Sequence, residues 1–374
     1  LNAVTPPVFQ TSNFSFHSVE DFRSALRDET STFLYSRGNN PTLNILSKKL
    51  AALDHAEESL VVNSGAGAIF IAVLANIKSG DHIISVENPY TWARKMFENV
   101  LPRFNVSTTF VDGRDVKNIE EAIRDNTSLI YLESPNSWTF YLQDLEAVAQ
   151  IAQSRNIITI CDNSYATPLY QRPIDLGIDI AIQSATKYLN GHSDVVAGVI
   201  SGKREMIKKI FNSEYLNLGI GTTPFNAWLI LRGLRTLPVR LERISKTTDA
   251  VVKFLKEQPE VESISFPMDS DFEQADLAKK QMTGGCGLFS FILRVAHVED
   301  VEKFCQAMKH VLMAVSWGGY ESLIMPAVAG MEKGEFDYKN PTHRRIRFYT
   351  GLEEAGYIIE DLQRGFEAVR VKNC

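Results

Sequence analysis

From residue 59 onward, short apolar runs alternate with amphipathic stretches along the chain. Leu60-Val61-Val62, His82 to Val86, Ser107 to Val111, Ser128 to Leu132, Ile157 to Cys161, Ile178 to Ile182 and Gly198 to Ser201 read as strands. Helical spacing fills the gaps at Ile69 to Ile77, from Thr91, at Ile119 to Arg124 and at Leu145 to Gln153. Strand–helix alternation of this kind predicts an α/β fold, with many parallel strands and helices on both faces of the sheet.

The two ends of the chain depart from this rhythm. Val4 to Phe9 and Thr11 to Phe14 read as an extended arm, with a short helix over Val19 to Leu26. Such an arm has little to bury against in its own domain, so it is expected to pack on a neighbouring subunit. Pro41 starts a helix running to Leu53. Past residue 224 come two long helices, Pro224 to Arg235 and Val239 to Leu255, then strands at Val261 to Phe266 and Gly287 to Leu293. A helix at Val298 to Met308, irregular loops, a strand at Arg345 to Tyr349 and a helix from Glu360 to Val371 complete the chain. This describes an arm over 1–40, a large domain over 41–230 and a smaller C-terminal α+β domain over 231–374. There are no internal repeats.

Composition narrows the function. A net charge of −6 over 374 residues argues against nucleic acid or acidic lipid as the main partner. No apolar run reaches membrane-spanning length and Leu1 does not open a signal peptide. The chain begins without methionine, so a short leader before Leu1 is expected. Cys161, Cys286, Cys305 and Cys374 are far apart and lack ligand spacing, which predicts no disulfide framework, no structural zinc and a cytoplasmic location.

The stretch Ser184-Ala185-Thr186-Lys187-Tyr188-Leu189-Asn190-Gly191-His192 follows a strand. The strand delivers Lys187, flanked by hydroxyls, to a sheet edge. A lysine there is a candidate Schiff-base residue, and Ser184 and Thr186 could hold a phosphate; pyridoxal phosphate offers an aldehyde for the one and a phosphate for the other. Read plainly, Lys187 is a solvated loop lysine. Ser64-Gly65-Ala66-Gly67 opens a helix, and its backbone N–H groups favour an anion, although such turns are also common packing devices. Asp162 ends a buried strand; it is a cap, or a partner for a protonated pyridine nitrogen. Tyr90 follows a strand and is either ordinary packing or a ring that stacks on a flat cofactor and moves a proton. Arg345 and Arg347 alternate onto one face of a strand, where either suits an α-carboxylate or both are solvated.

Together these residues resemble the Cys/Met-metabolism PLP-dependent enzymes, the cystathionine γ-synthase-like group. The resemblance rests on Ser184 to Asp194, on Tyr35-Ser36-Arg37 with Asn40-Pro41-Thr42, on Ser64-Gly65-Ala66, on Asp162-Asn163 and on the position of Arg347. Ser316-Trp317-Gly318-Gly319-Tyr320-Glu321-Ser322-Leu323, with Gly287 to Phe291 and Gly233 to Leu237, is most similar to the bacterial cystathionine β-lyases within that group. Thr91-Trp92-Ala93 follows Tyr90 where the wider family has Gly-Gly-Thr, and Ser137 stands where it usually has an asparagine.

The resemblance implies a fold-type-I PLP-dependent transferase architecture and a homotetramer, built from dimers, with shared active sites. It implies Lys187 and Tyr90 as catalytic residues. Gly65, Ala66, Asp162, Ser184 and Thr186 would hold the cofactor, with Tyr35 and Arg37 from a neighbouring subunit. Arg347, Ser316 and Trp317 would hold the substrate carboxylate. The implied reaction is α,β-elimination of L-cystathionine to homocysteine, pyruvate and ammonia. The alternatives are γ-elimination, γ-replacement and, more remotely, a non-catalytic binding protein on the same fold.

Overall fold

The computed structural model describes residues 3–370, so Cys374 lies outside the described residues. The chain divides into two compact units. Residues 1–137, 142–190 and 194–235 form the first, and 138–141, 191–193 and 236–374 the second.

The first unit is built on a seven-stranded sheet: β1 Glu58–Val62, β2 His82–Val86, β3 Ser107–Val111, β4 Thr127–Glu133, β5 Ile158–Asp162, β6 Ile180–Gln183 and β7 Gly198–Gly202, in the order β1-β7-β6-β5-β4-β2-β3. The pairs joining β2 through β6 and β3 are parallel, whereas β7 runs antiparallel to both neighbours. β1 therefore points the same way as β6, and both deliver their C-terminal residues to one edge. The apolar runs are continuous because both faces are covered. Ile83, Leu129, Tyr131, Ile160, Ile182 and Ile200 pack on one side, and Ile84, Ile130, Leu132 and Cys161 on the other.

Four helices fix the site-bearing parts of this unit: α1 Val19–Arg27, α2 Pro41–Asp54, α3 Gly65–Leu74 and α4 Thr91–Lys95. α3 starts four residues before its apolar spacing suggests. Ser64 caps it, accepting from Gly67 N–H at 3.0 Å, so the glycine turn is the first turn of the helix. α2 ends in Asp54, which is fully buried and accepts from Gln183 Nε2 and Ser201 Oγ, both at 2.6 Å. These bonds tie α2 to β6 and β7. Burial pushes the Asp54 carboxyl up to about 7.

The arm is held to its own unit. Phe9 N–H donates to Thr42 Oγ1, Asn40 Nδ2 donates to Phe9 O, and Trp228 Nε1 donates to Pro6 O. It still leaves Phe9, Val19, Phe22, Leu26 and Tyr35 exposed.

The second unit carries a five-stranded sheet: β8 Val261–Ser265, β9 Leu288–Leu293, β10 Leu312–Met313, β11 Leu323–Pro326 and β12 Arg345–Tyr349, in the order β10-β11-β12-β9-β8. The region read as irregular loops thus contributes β10 and β11, which are too short for periodicity to register. Phe289, Phe291, Ile346 and Phe348 pack with residues of the helices Leu237–Lys256, Val298–Gln306 and Ala355–Arg370. By alternation, Ser290, Arg345, Arg347 and Tyr349 occupy the opposite face.

Candidate active site

The carboxyl ends of parallel strands are where open α/β sheets bind ligands, because chain ends and helix N-termini converge there. In the first unit this edge gathers the sequence-predicted residues. Asp162 ends β5, the Ser184–Lys187 turn follows β6, Tyr90 follows β2, and α3 begins just after β1.

Asp162 is buried and accepts from Ser164 N–H at 2.9 Å. Burial raises its pKa, while the Ser164 hydrogen bonds and the charge of Lys187 pull it down. Lys187 thus lies within electrostatic reach of Asp162. Lys187 N–H donates to Ser184 O at 3.1 Å and Thr186 N–H to Ala197 O at 3.2 Å, which closes the turn. The Thr186 hydroxyl also donates to Ala197 O (3.1 Å) and accepts from Ala197 N–H (3.0 Å), fixing the turn to β7. A Cβ added at Gly65 would lie 2.8 Å from Ser184 Cβ and 2.9 Å from Ser184 Oγ. The glycine therefore allows the first turn of α3 to meet the lysine turn. Ala66, in the same turn, is exposed.

Tyr90 is 38% exposed, enough to reach a ligand, and its main chain is anchored: its N–H donates to Glu133 Oε2 at 2.5 Å. Glu133 is a site residue that the sequence reading passed over. It ends β4 as Asp162 ends β5, and the two are partners across the parallel pair. The same signal, a buried strand ending in an acid, marks both. The second Glu133 oxygen accepts from the Ser137 hydroxyl. Burial, then the charge of Asp162, pushes the Glu133 carboxyl up to about 8. Two buried carboxyls this close titrate as a pair. Burial leaves the Asp162 carboxyl raised overall, against the pull of the Ser164 hydrogen bonds and the charge of Lys187.

Tyr35 and Arg37 lie together, the guanidinium 5.7 Å from the tyrosine ring centroid, and Arg37 Nη1 donates to Leu216 O at 2.9 Å.

The substrate-binding candidates lie in the second unit. Ser316 adopts φ +80, a left-handed conformation that a serine keeps only when its surroundings enforce it. The segment just downstream is pinned by its own hydrogen bonds. Tyr349 OH donates to Gly319 O at 2.7 Å, Ser193 Oγ to Glu321 Oε1 at 2.6 Å, and Ser322 N–H and Oγ to Glu353, each at 2.8 Å. Trp317 sits in the same loop. Arg345 and Arg347 share a face, and their contacts separate them. Arg345 Nη1 donates to Trp138 O at 3.4 Å and Ser290 Oγ at 3.1 Å. Arg347 lies over the Trp138 ring, 4.9 Å from its centroid, with Nη2 3.2 Å from the Met325 sulfur. Trp138 carries no sequence signal of its own.

A phosphate-bearing aldehyde cofactor fits the first-unit edge. The glycine that brings the α3 N-terminus against Ser184 leaves no room for a side chain, the helix end and the Ser184 hydroxyl suit a phosphate while the Thr186 hydroxyl expected to join them is paired with Ala197 instead, and the lysine stands by a buried carboxyl. Among the described residues, no three His, Cys, Asp or Glu residues come together to hold a metal, and no helix is long and apolar enough to cross a membrane.

Comparison with known proteins agrees with this chemistry. The chain is 37% identical over 376 residues to an L-methionine γ-lyase from Treponema denticola, covering 98% of this chain and 92% of the relative. It is 35% identical over 369 residues to a cystathionine β-lyase from Bacillus subtilis, covering 98% and 91%. The crystal structure of a cystathionine γ-lyase from Lactobacillus plantarum, complexed with L-serine, superimposes with a TM-score of 0.88 at 31% identity, covering 97% of this chain and 93% of that one. The fold is accordingly the fold-type-I architecture. The sequence profile described as Cys/Met metabolism PLP-dependent enzyme matches residues 1–367: the chain belongs to that family, and its cofactor is pyridoxal phosphate.

Proposed function

We propose that this protein is a carbon–sulfur lyase acting on a sulfur amino acid. The observation that carries the proposal is Lys187 beside buried Asp162 at the carboxyl edge of the sheet. Pyridoxal phosphate, when bound, supplies the electron sink that makes the Cα–H bond of an amino acid acidic. Lys187 would hold the cofactor through its amine and would carry the Cα proton. Asp162 would be the carboxyl partner for the pyridine nitrogen of the cofactor. Gly65, Ala66 and Ser184 line the phosphate position, and Thr186 shapes the turn that carries Lys187. Tyr90, fixed through its N–H by Glu133, gives a proton to the departing thiolate. Arg347, with Ser316 and Trp317, binds the α-carboxylate, which orients the Cα–H bond.

γ-Elimination is the regiochemistry the relatives favour, since a methionine γ-lyase stands at 37% identity over nearly the whole chain. Here Lys187 would also move a Cβ proton. α,β-Elimination of L-cystathionine is the second reading, supported by the Ser316 to Leu323 segment and by a cystathionine β-lyase at 35% identity. We place the enzyme in the cytoplasm as a homotetramer in which Tyr35 and Arg37 serve a neighbouring active site. The deciding experiment identifies the 2-oxo acid formed from L-cystathionine and from L-methionine. 2-Oxobutyrate supports γ-elimination and pyruvate from cystathionine supports β-elimination. No oxo acid from either substrate removes the lyase reading.

A further inference from the structure

We propose that Ser164 is a positioning residue that ties two anchors of the cofactor together: its main-chain N–H and hydroxyl hold the Asp162 carboxyl, and the same hydroxyl oxygen holds the main chain of Ser184. The inference rests on the assignment of Asp162 to the pyridine nitrogen and of Ser184 to the phosphate.

Three observations lead here. The first is placement. Ser164 lies two residues beyond the end of β5, in a turn that Asn163 N–H fastens to β6 by donating to Ile182 O at 2.7 Å. The Asn163 side chain is turned to Gln171: Nδ2 donates to Gln171 O at 2.8 Å, and Oδ1 accepts from Gln171 Nε2 at 2.9 Å. Ser164 is the residue that reaches back to Asp162. The second observation is that carboxyl contact. Ser164 N–H donates to Asp162 Oδ1 at 2.9 Å, and the Ser164 hydroxyl adds a further hydrogen bond to the same carboxyl. The third crosses to the next strand. Ser184 N–H donates to Ser164 Oγ at 2.6 Å. Ser184 opens the lysine turn and lies against Gly65 at the start of α3. One side chain thus connects the end of β5 with the turn that follows β6.

The physical consequence is a fixed spacing. A serine hydroxyl donates one hydrogen bond and accepts others, so it can serve both neighbours at once. Alanine at this position keeps the main-chain N–H bond to Asp162 but loses both hydroxyl bonds, and it leaves Ser184 N–H without its acceptor. Pyridine nitrogen and phosphate belong to one rigid ring system. A site that already holds both anchors at the right spacing binds that ring more tightly, because less order has to be imposed on binding. Threonine carries the same hydroxyl.

The test compares two probes on the apoprotein, each titrated by visible absorbance: pyridoxal, which has the ring but no phosphate, and pyridoxal phosphate. Ser164→Ala should weaken pyridoxal binding about tenfold, and should weaken pyridoxal phosphate binding by about threefold more than that, because both anchors are disturbed. Ser164→Thr should bind both within about threefold of the parent. Asp162→Asn, which changes the ring anchor alone, should weaken the two probes by the same factor. If Ser164→Ala weakens both probes equally, the phosphate anchor is untouched and the tie is overturned. If it weakens only pyridoxal phosphate, or if Ser164→Thr behaves as Ser164→Ala does, the hydroxyl does not join the anchors and the proposal fails. If Asp162→Asn leaves pyridoxal binding unchanged, the pyridine-nitrogen assignment fails first, and the role of Ser164 fails with it.

Discussion

Glu133 and Asp162 are directly opposed partners at the ends of adjacent parallel strands, and both are buried. Two carboxyls so placed cannot both ionise readily. Burial, then the charge of Asp162, raises Glu133 to about 8, so Glu133 keeps its proton near neutrality and serves as a neutral clamp on Tyr90 and Ser137.

This arrangement sets an alkaline limit. As pH rises through about 8, Glu133 ionises beside the buried Asp162 carboxyl. Activity should fall there in the parent enzyme. Glu133→Gln mimics the protonated acid and should keep its neutral-pH rate within about threefold while losing that alkaline limb. Glu133→Ala, which frees the Tyr90 N–H, should lower kcat by about tenfold or more. Coinciding pH–rate profiles for the parent and Glu133→Gln would argue that Glu133 does not hold a proton in the working enzyme.

Lys187→Ala should leave a folded protein with turnover reduced by about 10³-fold or more, since the group that carries the Cα proton is gone. Circular dichroism checks the fold and oxo-acid formation the rate. A variant that keeps a substantial fraction of parental turnover would mean that another residue moves the proton.

Gly65→Ala puts a Cβ 2.8 Å from Ser184 Cβ and 3.2 Å from Ser184 Cα, so the helix or the lysine turn must shift. Pyridoxal phosphate should bind about tenfold more weakly, as read from a visible-absorbance titration of apoprotein. Unaltered affinity would show that the Gly65–Ser184 approach is not part of the phosphate site.

Asp54 offers a test of stability away from the chemistry. Burial raises its pKa from 3.8 to about 7. Between those values the folded chain binds more protons than the unfolded chain, so this group's contribution is fully present at low pH and is lost as pH rises through 7. Asp54→Asn removes the titration, and its amide can pair with a turned Gln183, whose Oε1 is buried without a partner. Parent stability should therefore fall relative to the variant by about 1–3 kcal/mol between pH ~5 and ~8. Parallel unfolding curves across that range would contradict a buried, protonated Asp54.

Hydrophobic periodicity alone made the first-unit sheet legible. Its strands are buried on both faces, so each writes a short run of apolar residues, told from buried helix by its length and its β-branched content. The lysine turn, Asp162 and Tyr90 were legible for a related reason: each directly follows such a strand, and strand ends converge on one edge. Glu133 obeyed the same rule but looked like one more strand-terminal acid. Only its pairing with Asp162 gives it a distinct character, because its pKa depends on a charge 29 positions away in the chain. Alternation gives Arg345 and Arg347 the same face, so periodicity did not choose between them and only the family resemblance pointed to Arg347. In the structure the two differ in how they meet Trp138, more than 200 residues earlier in the chain. What the sequence determined by itself was local: periodicity, turn chemistry and the order of reactive residues. What only the tertiary structure decided was which charges and rings meet, because burial and proximity depend on chain segments that sequence spacing does not relate.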